Sequence, residues 1–270
     1  MTALEKYGKH IDEFRLMDDD FMSVVFDNNI EATQLVLDII LSDKKFTVKR
    51  VTSQQEYKSV EGRTIKLDIY AEDENGIPFD IEIQRADKGA VPKRARFHSS
   101  MLDTRLLAKG DDFSELKDTY VIFITENDVL KKGLPIYRIE RTVKETGELF
   151  GDGAHILYVD GKYDGNDSIG KLMHDFRQKN ASDMNYEPLA EKVRYFKEDE
   201  GGRGSMCKIV EDLRKEAREE AIAETQIEER NDFAIKLLKT NKHSVSEIAE
   251  LTSLSVEEVE NLKKNLDSDK

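Results

Sequence analysis

The sequence predicts an α/β fold: a mixed sheet flanked by helices and followed by a C-terminal helical extension. Three observations lead there. Two runs with apolar residues at every second position, "KLDIY" and "FDIEIQR", are separated by a turn. Two more strand-like runs, "YVIFIT" and "HILYV", follow a helix-patterned stretch, so strands and helices interleave. From about residue 198 the chain becomes charged and helix-favouring, with a Gly-rich break at its start.

The first element is "NNIEATQLVLDIILSD", where Ile30, Leu35, Val36, Leu37, Ile39, Ile40 and Leu41 make a nearly all-round apolar helix, expected to pack on both sides. Strands are expected at Lys66–Ala71 and Phe79–Arg85. "PKRARFHSSMLDTRLLAKG" then reads as a helix opened by Pro92 and ended by Gly110, with Phe97, Met101 and Leu102 inward and Lys93, Arg96 and Ser100 on another side. Strands at Tyr120–Thr125 and His155–Val159 complete the sheet. The expected division is a domain over 1–197, a charged helical connector over 198–240 with Gly201, Gly202 and Gly204 as a hinge, and a small tail over 241–270.

The tail is sharply punctuated. Ser244 with Glu247, and Ser255 with Glu258, each form a capping-box pattern. Two short helices with a tight turn at Ser253-Leu254 resemble a helix-turn-helix, with Ile248, Leu251, Leu254, Val256, Val259 and Leu262 as a shared core. The second helix leads with Glu257, Glu258 and Glu260, and acids there repel phosphates. A packing or oligomerisation module is the better reading, and the C-terminal helices are where a homodimer is expected.

Composition excludes some classes. Acidic residues outnumber basic ones, 56 to 42, for a formal net charge of −14, so adhesion to nucleic acid or an anionic membrane through the whole surface is ruled out. A single cysteine, Cys207, allows no disulfide framework and no cysteine zinc site. With no apolar run of 18 residues, the expectation is a soluble, cytoplasmic protein without membrane association.

The carboxylates on the hairpin are the candidates for chemistry, although spacing alone favours the plainer reading of a solvated strand face. A three-residue loop at Glu74-Asn75-Gly76 pairs Asp73 with Ile77 and, counting outward, sets Asp68 opposite Glu82, with Asp80 and Gln84 flanking on the same face. A loop one residue shorter or longer would mix a charge into the apolar face. Like charges directly across a hairpin repel by roughly 0.2–1 kcal/mol. Either a nearby arginine or lysine, or a hard divalent cation, has to compensate.

The set "LDIYAEDENG…FDIEIQ", the basic helix "KRARFHSSML" and "LAKGDDFSELKDTYVIFITEND" resembles the PD-(D/E)XK nuclease superfamily, especially its Rpn branch of recombination-promoting nucleases and transposase-like proteins, from about Val25 to Tyr163. The resemblance implies a restriction-endonuclease-like core and Mg²⁺-dependent cleavage of DNA, double-stranded ahead of single-stranded, with Mn²⁺ able to substitute. It implies Asp68, Glu82 and Gln84 as catalytic residues, with Asp68, Glu82 and the Ile83 carbonyl as metal ligands. Glu31 would be the accessory helix glutamate, and Arg94 and His98 match polar positions on the helix after the motif. Gln84 stands where the superfamily usually has lysine, and a neutral amide can position water but not carry charge. A catalytically weak or inactive nuclease-fold protein that binds nucleic acid or another protein is therefore the alternative. From Arg85 to Lys109 seven basic residues face two acidic ones, so Arg85, Lys93, Arg94, Arg96 and His98 are the expected DNA-binding residues.

Overall fold

The computed structural model describes residues 3–57, 64–240 and 242–268. Three helices come first: α1 (Ala3–Glu13), α2 (Asp19–Phe26) and α3 (Ile30–Ile40). The Asn29 side chain caps α3 by accepting from the Ala32 N–H. Ala32, Thr33, Val36, Leu37, Ile39 and Ile40 are buried, but Ile30 is exposed, so the helix is not enclosed all round.

The sheet has six strands: β1 (Val48–Tyr57), β2 (Ile65–Asp73), β3 (Pro78–Gln84), β4 (Thr119–Thr125), β5 (Ile136–Ile139) and β6 (Ala154–Asp160), in the order β1-β2-β3-β4-β6-β5. Strands β1, β2 and β3 run antiparallel, β3, β4 and β6 run parallel, and β5 returns antiparallel to β6. The β3–β4 crossover is made by α4 (Pro92–Leu106), since parallel neighbours cannot be joined by a tight turn. Central β4 is buried along its whole length, which is why "YVIFIT" is continuously apolar. Edge strands β1 and β5 carry no clear strand pattern in the sequence. They bury few residues, and β1 carries a register shift between Val48 and Arg50 and a left-handed Gln54, so neither shows clean alternation.

Helices α5 (Ser168–Arg177) and α6 (Glu187–Glu198) close this part of the chain. Buried Lys197 on α6 donates to the carbonyls of Asp12, Phe14 and Lys179, one acceptor for each ammonium proton. Helix α4 stops at Leu106, with extended Leu107 as its cap, short of the expected end at Gly110.

The expected Gly-rich hinge is instead the first turn of a long helix, α7 (Glu200–Thr240). A Cβ on Gly202 would lie 2.0 Å from the Tyr195 carbonyl oxygen, so the glycine serves close backbone approach. The chain divides into two compact units, Met1–Cys207 and Lys208–Lys270.

In the second unit, α8 (Val245–Thr252) and α9 (Val256–Ser268) both begin with capping boxes. The Ser244 and Ser255 N–H groups donate to Glu247 and Glu258, whose own N–H groups donate back to the serine oxygens. Ser253 adopts the left-handed conformation at the turn. The core of this unit gathers Ile248, Ala249 and Val259 with Ala234, Leu237 and Leu238 of α7, whereas Leu251 and Val256, expected inside, are exposed. No helix among the described residues is long and apolar enough to cross a membrane.

Candidate active site

The site begins at a turn. The Asp73 carboxylate accepts from the N–H groups of Asn75 (2.9 Å) and Ile77 (2.8 Å), Gly76 takes a left-handed φ of 73°, and the Asp73 N–H donates to the Ile77 carbonyl. That three-residue loop sets the register Glu72↔Pro78, Ala71↔Phe79, Tyr70↔Asp80 and Ile69↔Ile81. The next step outward brings Asp68 to Glu82, and there the paired backbone gives way to side chains. The Asp68 N–H donates to Glu82 Oε1 (3.1 Å), and the Ile83 N–H donates to Asp68 Oδ2 (2.9 Å). Each carboxylate takes the place of a carbonyl, so the fork between β2 and β3 is held open by the two acids themselves.

Helix α4 covers the fork. Ala95, His98, Ser99 and Leu102 point inward, and Phe97, expected inside, is 38% exposed. The polar His98 hid the phase of the helix, because its inward partner is a carboxylate. His98 Nδ1 lies 2.8 Å from Asp80 Oδ2 and 3.7 Å from Glu82 Oε1. Arg94 spreads its guanidinium across the group: Nη2 to Glu82 Oε2 (2.6 Å), Nη1 to Gln84 Oε1 (3.3 Å) and Nε to His98 Nε2 (3.3 Å). Because Arg94 Nε is a donor, His98 Nε2 accepts, and the imidazole proton sits on Nδ1 facing Asp80. Gln84 Nε2 lies 3.5 Å from Asp68 and 3.4 Å from Glu82.

Three buried carboxylates thus share one guanidinium. Burial, then the charge of Glu82, pushes Asp68 up to about 8. Burial, then the charge of Asp80, pushes Glu82 up to about 8 against the pull of His98 and Arg94. Burial, then the charge of Asp68, holds Asp80 well above the ordinary carboxylate range. Such a group either keeps protons or takes a second cation.

The donor set suits a cation. Asp80, Glu82 and His98 offer ligand atoms within 4.8 Å of one another, and Asp80 Oδ1 is buried with no hydrogen-bond partner among the described residues. Two sets therefore overlap at Glu82, one with Asp68 and one with Asp80 and His98. Asp80 and His98 are 0% and 2% exposed, so an ion among them could not meet a substrate phosphate; Asp68 lies nearer the surface. The hard oxygens of Asp68 and Glu82 match magnesium or manganese.

Residues 25–161 match the family described as PD-(D/E)XK nuclease family transposase. The chain belongs to this family. Its mixed sheet with flanking helices is the restriction-endonuclease-like fold of these nucleases. No curated protein and no solved structure matches the chain.

The expected DNA-facing residues sit in different surroundings. His98 is enclosed and holds Asp80, so it cannot reach a phosphate from outside. Arg85 is engaged by Asp18 (2.7 Å) and Glu126 (3.5 Å). Lys93 and Arg96 are exposed on α4 as expected. Glu31 is exposed in the first turn of α3 and makes no hydrogen bond or ion pair with the site among the described residues. Asp19, in the first turn of α2, adds to the rise of Asp68 after burial and the charge of Glu82. Asp19 lies outside the matched span and lines a cleft of about 830 Å³ and of mixed charge, where Glu13, Asp18 and Asp20 face Arg15, Arg85 and Lys179 beside Gln84. No periodic pattern marks it in the chain. The run Asp18-Asp19-Asp20 at a helix start also reads as helix capping.

Proposed function

We propose that this chain is a Mg²⁺-dependent DNA endonuclease, with Mn²⁺ able to substitute, that hydrolyses phosphodiester bonds in recombination or mobile-element processes in the cytoplasm. The observation that carries the reading is the forked hairpin, in which Asp68 and Glu82 are oriented by each other's strand and remain short of positive charge. Asp68, Glu82 and the Ile83 carbonyl would hold the ion. Bound there, a divalent cation supplies Lewis-acid chemistry at a phosphate.

The remaining work falls to the chain's own side chains. Gln84, aimed between Asp68 and Glu82, positions a water by hydrogen bonding. Arg94 carries the positive charge that Gln84 lacks, and its guanidinium can neutralise charge on phosphate oxygens as the bond breaks. Asp80 and His98 act through Arg94, holding its Nε edge and thereby the plane of the guanidinium.

The test is cleavage of supercoiled plasmid in Mg²⁺ and in Mn²⁺, with Asp68→Ala and Glu82→Ala beside the wild type. Nicking or linearisation that disappears in both variants is the expected result. Cleavage that survives in either variant would place the chemistry elsewhere. An inert wild type would favour the non-catalytic alternative.

A further inference from the structure

A second cleft, of about 610 Å³, has a wall that includes Lys66, Lys88, Lys93, Arg94, Val91 and Phe97. This wall carries basic side chains and no carboxylate. Lys66, Lys88 and Lys93 are exposed and make no ion pair among the described residues. Arg94 is common to this cleft and to the Glu82–Gln84 cluster, so whatever occupies the cleft lies one guanidinium away from the carboxylates.

Phe97 is the feature that folding does not explain. Helix α4 packs through Ala95, His98, Ser99 and Leu102, and Phe97 points away from them into the cationic cleft, 38% exposed, near Val91 at 45%. An aromatic face beside several uncommitted lysines suits a planar, uncharged ring joined to a chain of negative charges. That is the chemistry of a nucleotide strand, whose bases stack on aromatic side chains while its phosphates meet lysines. A base inside a duplex is already stacked on both faces and cannot offer one to Phe97.

We propose that this cleft is a nucleotide subsite: an unpaired base stacks on Phe97 while its phosphates bind Lys66, Lys88 and Lys93. The substrate is then DNA with an unpaired nucleotide beside the cleaved bond, as at a single-stranded gap, a frayed end or a distorted duplex. This inference rests on the nuclease reading above for the identity of the bond cut, but its test is a binding measurement.

The chain contains no tryptophan, so Phe97→Trp introduces one fluorescent reporter. In chelator at low salt, a short dye-labelled oligothymidylate should bind the full chain and quench the indole, and a fully paired blunt duplex at equal phosphate concentration should not. Phe97→Ala should weaken oligothymidylate binding by roughly tenfold or more, and Phe97→Tyr should restore it. Binding seen by dye anisotropy without quenching, with affinity unchanged in Phe97→Ala, would overturn the subsite and leave the nuclease reading to the plasmid assay. Equal quenching by the paired duplex would overturn the requirement for an unpaired base. Absence of any nucleic-acid binding would overturn the subsite outright.

Discussion

At the scale of single residues, the site is a balance between burial and charge. Asp68 and Glu82 titrate near 3.8 and 4.5 as free side chains and near 8 when folded. A group whose folded value is raised binds protons more tightly in the native state, so its stabilising contribution is complete below the unfolded value and is lost as pH rises through the folded one. In chelator, stability of the first unit should therefore fall between about pH 4 and 8, by on the order of 5–10 °C in melting temperature. Millimolar Mg²⁺ should reverse the fall, with a thermal shift that grows toward pH 8 as protons leave the ligands. Asp68→Asn should remove most of both effects. Melting curves from pH 5 to 9 decide this, and a metal-free protein equally stable at both ends would contradict the picture of compressed carboxylates.

At the scale of elements, a short helical turn does unexpected work. Asp87–Ala90, between β3 and α4, carries Gly89, and a Cβ built there would sit 1.8 Å from Gln84 Oε1. The clash is with the mobile end of a side chain, so Gly89→Ala should cost less than about 1 kcal/mol of stability. The amide that replaces the usual lysine would nevertheless have to move, and cleavage should drop about tenfold or more. Full activity in a well-folded Gly89→Ala protein would show that the Gln84 position is not needed. The same elements show what could be read in advance. The Asp73 turn and the two capping boxes are local, closed within a few residues, and their hydrogen bonds follow from residue type and spacing. The inward phase of α4 is not local. His98 is polar by type and buried by partnership with Asp80, and only packing against β3 reveals that.

At the scale of the whole chain, charge is sorted rather than spread. A net −14 coexists with a cleft lined by basic side chains and no carboxylate, so an overall composition hostile to DNA says little about the one place where DNA would bind. Cutting both strands of a duplex calls for two such sites, and the second unit has apolar surface to spare. Phe233 on α7 and Leu251 on α8 are exposed around one shallow cleft, and Ile222 lies about three helical turns before Phe233 on the same side. We expect a homodimer through these helices. Sedimentation at micromolar concentration should give about twice the 31.0 kDa chain mass, and Phe233→Glu should return it to monomer. A monomeric wild type would remove the idea.

Linear pattern was enough for the α/β class, the hairpin register that sets Asp68 against Glu82, the family-like acids and the caps of the terminal helices. These are set by periodicity of two or by contacts across a few residues, which a linear pattern records. Tertiary structure alone decided that Arg94 and His98 face the acids from α4, that the charge of Asp19 bears on Asp68, that Arg85 pairs with Asp18 and Glu126, and that Phe97 is turned outward. Each of those depends on which side of a helix meets a sheet or on ion pairs between residues far apart in the chain, and burial of a charge is worth its cost only when the partner is in place. Residue type states what a side chain can do, and packing states which partner it does it with.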